Sequence, residues 1–121
     1  MLECANNIQN YINIFHYDPC ITLKNLIKKE KISQEELAFT ININLRTLKR
    51  YLSGEYKLNK KILALICCAI TTPQQVALEL FKNAGLELKL LDNDPILFDI
   101  LERIGEVDSY ILIEEINKNF K

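Results

Sequence analysis

The chain has 121 residues, of which 49% are hydrophobic, enough for one folded domain with an appendage. Its formal net charge of −1 excludes a uniformly basic nucleic-acid-binding surface. The charge is uneven, however. Residues 24–61 carry ten Lys or Arg against four Glu, whereas residues 62–121 carry five against ten acidic residues. Such asymmetry is typical of a protein in which one part faces phosphate.

Helix-forming residues dominate, and all three glycines and three prolines fall where a helix would begin or end, so we expect an all-α protein. The sequence has no apolar run of membrane-spanning length and no signal peptide, which favours a cytoplasmic protein with reduced thiols. Its cysteines are Cys4, Cys20, Cys67 and Cys68. Because they form no C-x-x-C pair and the single histidine is His16, we predict no metal site and no cofactor.

The first predicted helix spans residues 3–15 and forms part of an accessory N-terminal unit, residues 1–17. Its apolar side chains lie at helical spacing: Ile8, Tyr11, Ile12 and Phe15. We expect this helix either to cover the back of the following domain or to pair with a second subunit.

A second helix, about 19–30, is predicted from the cap residue Asp18 and the proline that follows it. Two shorter helices joined by a tight turn then follow within residues 33–54. Ser33 and Glu36 have the spacing of an S-x-x-E capping box. Asn42 suits the left-handed backbone of a sharp turn, and Asn44 is a good cap for the next helix.

The later of these two helices, residues 45–52, carries basic side chains on its outward side. They are Arg46, Lys49 and Arg50. Gly54 is expected to end the helix in a left-handed conformation. A single basic side chain on a helix is usually just a solvated charge, whereas three on one side of this helix indicate contact with nucleic acid.

The pattern L-A-x-x-x-N-I-N-x-x-T-L-x-R-Y-x-x-G over residues 37–54 resembles the helix-turn-helix of the lambda/434 repressor-like (XRE-type) family. The resemblance covers about residues 23–69 and implies a five-helix DNA-binding domain, residues 18–85, in a transcriptional regulator. Two positions depart from the family pattern. Asn42 replaces the turn glycine, and Leu52 replaces a frequent Glu, so any ion pair made by that Glu is absent.

The resemblance also implies which side chains meet DNA. The base-contact positions are Leu45, Arg46, Lys49 and Arg50. The phosphate-contact positions are Gln34, Asn44, Ser53, Lys57, Lys60 and Lys61. Arg46 is the first choice for specific readout, because its guanidinium fork matches the O6 and N7 acceptors of guanine. Leu45 either meets a thymine methyl group or is an ordinary exposed leucine.

Two further helices complete the predicted five. One spans about residues 60–70, and the other, about 73–84, is expected to begin with Thr72 as its cap and Gln75 at the box position. The five helices together bury the inner face of the helix-turn-helix. Cys67 and Cys68 are expected to be small core residues.

Residues 86–121 predict a C-terminal helical extension for dimerisation or partner binding. The run at residues 86–91 is expected to be a loop or extended linker, because a lone strand has nothing to pair with. A helix then begins at Asp94 with these inward side chains: Ile96, Leu97, Ile100, Leu101 and Ile104. The last helix, about 109–119, has these: Tyr110, Ile113, Ile116 and Phe120. The pair resembles tails attached to many helix-turn-helix proteins.

Two hypotheses of different classes follow. The first is a sequence-specific transcription regulator that binds double-stranded DNA as a homodimer on a two-fold operator. The second is an antitoxin-like or antirepressor-like adaptor, whose protein partner is held by the C-terminal helices. The apolar stripes in residues 8–15 and 110–120 suit the second, although core packing also explains both. The C-terminal carboxylates lack Ser, Cys or His partners at catalytic spacing, so we predict no enzyme.

Overall fold

The computed structural model describes residues 8–89, 91 and 94–120 of the chain. Within these residues seven α-helices follow an N-terminal segment, which is helical at residues 8–11 and continues as the 3-10 turn Ile12–Ile14. The helices are α1 Pro19–Lys29, α2 Gln34–Thr40, α3 Leu45–Ser53, α4 Lys60–Ile70, α5 Gln74–Asn83, α6 Asp94–Glu102 and α7 Ser109–Asn119. No β-strand occurs among the described residues, and the predicted all-α fold class is confirmed. The part of the predicted N-terminal helix before residue 8 lies outside the described residues.

Short-range capping sets the bounds of α2 and α3, as the sequence predicts. Ser33 Oγ accepts the N–H of Glu36 at 3.0 Å, and the Ser33 N–H donates to Glu36 Oε1 at 3.2 Å, which completes the capping box. Asn42 has φ 59° in the turn. Asn44 Oδ1 caps α3 by accepting the backbone N–H two residues further on, at 2.8 Å. Gly54 ends α3 with φ 87°.

The N-terminal segment lies against α1, as in the first of the two expected arrangements. Ile14 is buried, and the Tyr11 hydroxyl donates to Glu30 Oε2 at 2.8 Å. Burial and the hydrogen bond to this carboxylate raise the pKa of Tyr11 to about 12. Further along, Asn83 Nδ2 at the end of α5 donates to the His16 carbonyl oxygen at 2.7 Å. The start of the chain is therefore tied to both α1 and α5.

Helix α4 lies at the centre of the fold and is buried on nearly all sides. Its buried residues are Ile62, Leu63, Ala64, Leu65, Ile66, Cys67, Cys68 and Ile70. A helix that is hydrophobic all round has to be covered all round, and α2 and α5 alone do not cover it. Helix α7 packs chiefly against α4, and α6 contacts α4, α5 and α7. The C-terminal helices thus share one hydrophobic core with the helix-turn-helix.

The two adjacent cysteines of α4 are core residues, as the sequence predicts. Cys67 and Cys68 are 0% and 1% exposed. Burial raises the pKa of both thiols, that of Cys68 to about 12, so neither is a reactive thiolate near neutral pH.

The predicted cap at the start of α5 is wrong. Thr71 turns the chain with φ 59°, and the Thr72 N–H closes the end of α4 by donating to the Cys67 carbonyl oxygen at 3.0 Å. This closure holds Thr72 inside the core, where its Oγ1 has no hydrogen-bond partner among the described residues. Helix α5 begins after Pro73 without a side-chain cap, and the box expected at Gln75 does not form.

The apolar faces of α6 and α7 differ from the expected ones. The buried side chains are Leu97, Ile100, Leu101, Leu112, Ile113 and Ile116. Ile96 is exposed, and Tyr110 and Ile111 are 64% and 50% exposed. The face of α7 is rotated because it packs against both α4 and α6, which brings Leu112 inward and leaves Tyr110 outside. Residues 86–89 have no regular structure, in agreement with the predicted linker. Within the described part of the chain, none of the helices has the length and apolar character needed to span a membrane.

Candidate nucleic-acid interface

Helix α3 is held by its inner side chains and presents its outer side to solvent. Leu48 and Leu52 are 0% and 1% exposed and pack into the core, where α3 contacts α1 and α2. Arg46 and Lys49 lie on the opposite side and are exposed. Neither has an ion-pair or side-chain hydrogen-bond partner within the described residues. Both cationic groups are therefore available to an external anion.

The N-terminal end of α3 combines polar and apolar side chains. The Asn44 side chain uses its Oδ1 as the cap of α3, which leaves its amide N–H groups free to donate. Leu45 is half-buried against the core, so it is not fully exposed, and part of its side chain remains for an apolar contact.

Arg50, the third predicted cation of α3, has partners within the chain. Its Nη1 donates to the Tyr56 hydroxyl at 2.8 Å, and its Nε lies 3.2 Å from Glu55 Oε2. The hydrogen bond that Arg50 donates to the Tyr56 hydroxyl is the main reason why the pKa of Arg50 is raised. The Tyr56 ring also meets the Tyr51 ring edge to face, with centroids 5.4 Å apart. Arg50 therefore points toward the loop that follows α3.

The predicted phosphate-contact residues occupy different environments. Gln34 is half-buried at the first position of α2, and Lys57 is exposed in the loop after α3. The Ser53 hydroxyl is used in the turn, since it donates to the Arg50 carbonyl oxygen at 3.1 Å. Lys61 is half-buried and lines a cleft of about 520 Å³ beside Asn42.

Lys60 has a buried carboxylate partner. Its Nζ lies 3.0 and 3.1 Å from the two carboxylate oxygens of Asp94, which also accepts the Lys89 backbone N–H at 2.9 Å. Burial raises the pKa of Asp94, but the Lys89 N–H and the Lys60 ammonium group outweigh it, so the pKa lies below its ordinary value. Because its ammonium group is paired with Asp94, Lys60 has no free cation for the predicted phosphate contact.

One comparison with known proteins gives a match. A protein-family model described as helix-turn-helix matches residues 23–73, which contain the α2–turn–α3 unit. Residues 23–73 therefore form a helix-turn-helix domain. Such domains bind DNA, and the resemblance inferred from residues 37–54 is confirmed. No curated protein and no solved structure matches the chain.

In this helix-turn-helix domain, Arg46 and Lys49 remain together on the exposed side of α3, with Asn44 and Leu45 at its start. Arg50 and Lys60 are turned toward partners that the sequence analysis missed. The contact of Arg50 with Tyr56 could have been predicted from nearby residues. Gly54 is left-handed and turns the loop back toward α3, where the Tyr56 N–H donates to the Arg50 carbonyl oxygen at 3.1 Å. The pairing of Lys60 with Asp94 could not be predicted in this way, since 34 residues separate them.

The described residues contain no group of three or more His, Cys, Asp or Glu side chains arranged to hold a metal ion. What the helix-turn-helix domain offers a ligand is the exposed side of α3, where Arg46 and Lys49 have no partner among the described residues. That arrangement is suited to a polyanion whose edges present hydrogen-bond donors and acceptors, as the bases of nucleic acid do.

Proposed function

We propose that the protein is a sequence-specific, DNA-binding transcriptional regulator that reads the major groove with α3. The observation that carries this proposal is the exposed, unpaired side of α3 at Arg46 and Lys49, opposite the buried Leu48 and Leu52. A helix fits the major groove, where each base pair presents a distinct pattern of donors and acceptors. Because Leu48 and Leu52 hold α3 in the core, the helix backbone is already ordered and loses little further entropy on binding.

The side chains of α3 then have separate roles. Arg46 reads a guanine through its guanidinium fork, Lys49 supports it, and Leu45 contacts a thymine methyl group with its exposed part. The Asn44 amide and Gln34 contact phosphates beside the N–H groups at the start of α2. Arg50 reaches a base only if the DNA displaces Glu55, so its main role is to position the loop through Tyr56.

Additional phosphate contacts come from the loop after α3. Lys57 is exposed, and no carboxylate pairs with it among the described residues. Lys61 supports this contact from the start of α4, whereas Ser53 and Lys60 are occupied within the chain. These contacts position the protein without reading sequence.

We further propose that the protein binds as a homodimer to a two-fold operator. One short recognition helix contacts few base pairs, whereas two copies related by a two-fold axis read two half-sites about 34 Å apart. Light scattering of the purified chain and of its complex with DNA measures this stoichiometry. A monomer bound to a single, non-repeated site would contradict the dimer.

The test of the function is selection of bound fragments from a random duplex library, followed by a salt titration on the selected site. We expect an enriched two-fold sequence, and an affinity that falls linearly with the logarithm of salt concentration as counterions are released. Binding with equal affinity to all sequences would contradict sequence specificity.

A gel shift at low salt separates this function from the protein–protein adaptor. The adaptor hypothesis is favoured by the apolar side chains that α7 exposes, Tyr110 and Ile111. Absence of retardation at low salt, with any duplex, would reject the regulator and leave the adaptor. Retardation at physiological salt supports the regulator.

A further inference from the structure

Three lysines border one cleft that extends beyond the segment matching the helix-turn-helix family. The cleft has a volume of about 370 Å³ and lies between the start of α4, the end of α5 and the loop that follows. Its lining residues are Lys60, Lys82, Gly85, Leu86, Glu87 and Lys89. Two of these lysines, Lys82 and Lys89, follow residue 73, the last residue of the family match.

Among the described residues at this cleft, the three lysines outnumber the two carboxylates, Asp94 and Glu87, by one charge. Asp94 neutralises Lys60, with which it forms the buried ion pair. Lys82 and Lys89 are exposed, and neither has an ion-pair partner within the described residues. Glu87 lies at the rim but makes no ion pair there. Like charges around one cleft repel one another, so an external anion is favoured at this place.

A second cleft lies at the loop that follows α3. This cleft of about 290 Å³ is lined by Gly54, Tyr56 and Lys57 on one side and by Ala84, next to Gly85, on the other. The end of α5 therefore lies beside the loop that carries Lys57. The lysines that line the two clefts outside the ion pair with Asp94 are called the basic strip here: Lys57, Lys82 and Lys89.

We propose that Lys82 and Lys89 bind phosphates of the DNA backbone that flank the half-site read by α3. This inference rests on the proposed function and extends the DNA contact beyond the helix-turn-helix segment. A duplex with its groove on α3 continues past the C-terminal end of that helix, where its phosphates meet the basic strip. Lysine suits this role because it contacts phosphate as a point charge, without selecting a base.

The test compares wild-type protein with the double variant Lys82→Gln/Lys89→Gln on a selected site carrying long flanks. Each lost phosphate contact reduces the magnitude of the negative slope of log K against log salt by about 0.9, so two lost contacts reduce it by about 1.8. A fourfold rise in salt should therefore weaken DNA binding by the wild type roughly ten times more than it weakens binding by the variant. A duplex trimmed to the base-reading half-sites should bring the wild-type slope down to that of the variant.

The matched control is Lys28→Gln. Lys28, like Lys82, lies in the last turn of its helix, but it borders the N-terminal segment rather than the strip. The start of α1 lines the Lys57 cleft, and Lys28 lies roughly 13 Å further along the helix at 1.5 Å per residue. We expect no slope change for Lys28→Gln, and an equal change would show a general charge effect and overturn the strip.

The outcomes separate this inference from the proposed function. If the wild type binds its selected site and the double variant has the same slope on the long duplex, the strip is wrong and the regulator stands. If the wild type binds no DNA at low salt, the proposed function fails, and the strip fails with it. All the substituted lysines are exposed, so equal thermal midpoints verify that the variants are folded.

Discussion

One asparagine fixes where the recognition helix begins. Asn44 caps α3 at 2.8 Å, and this places Arg46 in the first turn, on the exposed side. The neighbouring Leu48 is fully buried, so the helix cannot rotate to bring another side chain outward without exposing it. In the proposed function, position 46 is therefore the position of the first turn of α3 that selects a base.

Arg46→Ala should lower affinity for the selected site by about 1–3 kcal/mol and relax the preference at one base pair. Arg46→Lys is the matched variant, because it keeps the positive charge but loses the fork that grips guanine. We expect it to keep affinity for random DNA while losing affinity for the selected site. Competitive binding to both duplexes measures the two effects. An equal loss on random DNA in Arg46→Ala would remove Arg46 from base readout.

At the level of elements, the loop after α3 depends on the left-handed end of that helix. Gly54 has φ 87°, and a Cβ added there would lie 3.7 Å from Cys20 Sγ, an ordinary contact distance. The cost of a side chain at this position is therefore conformational rather than steric. Gly54→Ala should destabilise the fold by about 1 kcal/mol, as left-handed backbone does for residues other than glycine.

Urea denaturation measures this change, and Lys49→Ala, at an exposed helical position, serves as the control with little expected effect. An unchanged midpoint for Gly54→Ala would show that the loop adapts to the new residue. The left-handed turn would then not be what supports the Arg50–Tyr56 contact.

The ion pair between Lys60 and Asp94 joins the helix-turn-helix to the first C-terminal helix. Lys60→Met keeps the apolar stem but removes the ammonium group, and should cost about 1–3 kcal/mol because the buried carboxylate loses its partner. Urea denaturation at neutral pH checks this, with the exposed Lys57→Met as control. A Lys60→Met variant as stable as wild type would show that the pair contributes nothing.

The same carboxylate gives stability a pH dependence of defined sign. Because the pKa of Asp94 is lowered in the folded protein, its contribution is present above the unfolded value of about 4 and is lost as pH falls through the folded value. Asp94→Asn should therefore be less stable than wild type at neutral pH, and the difference should shrink on acidification. Urea midpoints at pH 7 and pH 3 measure it, and a difference that grows toward pH 3 would contradict this assignment.

For the whole molecule, a shared core implies shared unfolding. Leu48 of α3 and Ile116 of α7 are both 0% exposed, and they belong to the same buried cluster. Leu48→Ala and Ile116→Ala should each cost about 2–5 kcal/mol, with one cooperative transition in both variants. Thermal unfolding followed by circular dichroism and by calorimetry tests this. A second, earlier transition in Ile116→Ala would indicate an independent C-terminal unit.

Local signals predicted the helix-turn-helix well. The capping box at Ser33 and the turn at Asn42 depend on neighbours within a few residues, and the structure has both as expected. The wrong predictions depend on how helices end and pack together. Thr72 is drawn into the core because its N–H closes the end of α4 at the Cys67 carbonyl oxygen, and the exposed side of α7 is set by its packing against α4 and α6. Whether Lys60 is free to contact phosphate depends on Asp94, and no local sequence pattern predicts that partner.

The burial of α4 on nearly every side restricts how this protein can be divided. A fragment ending after residue 85, the usual choice for a minimal DNA-binding piece, would strip α6 and α7 from α4. The leucine and isoleucine side chains that become exposed to solvent would make such a fragment precipitate rather than bind DNA. A transfer of this helix-turn-helix domain to another protein must therefore include α6 and α7, or replace the uncovered apolar residues of α4 with polar ones.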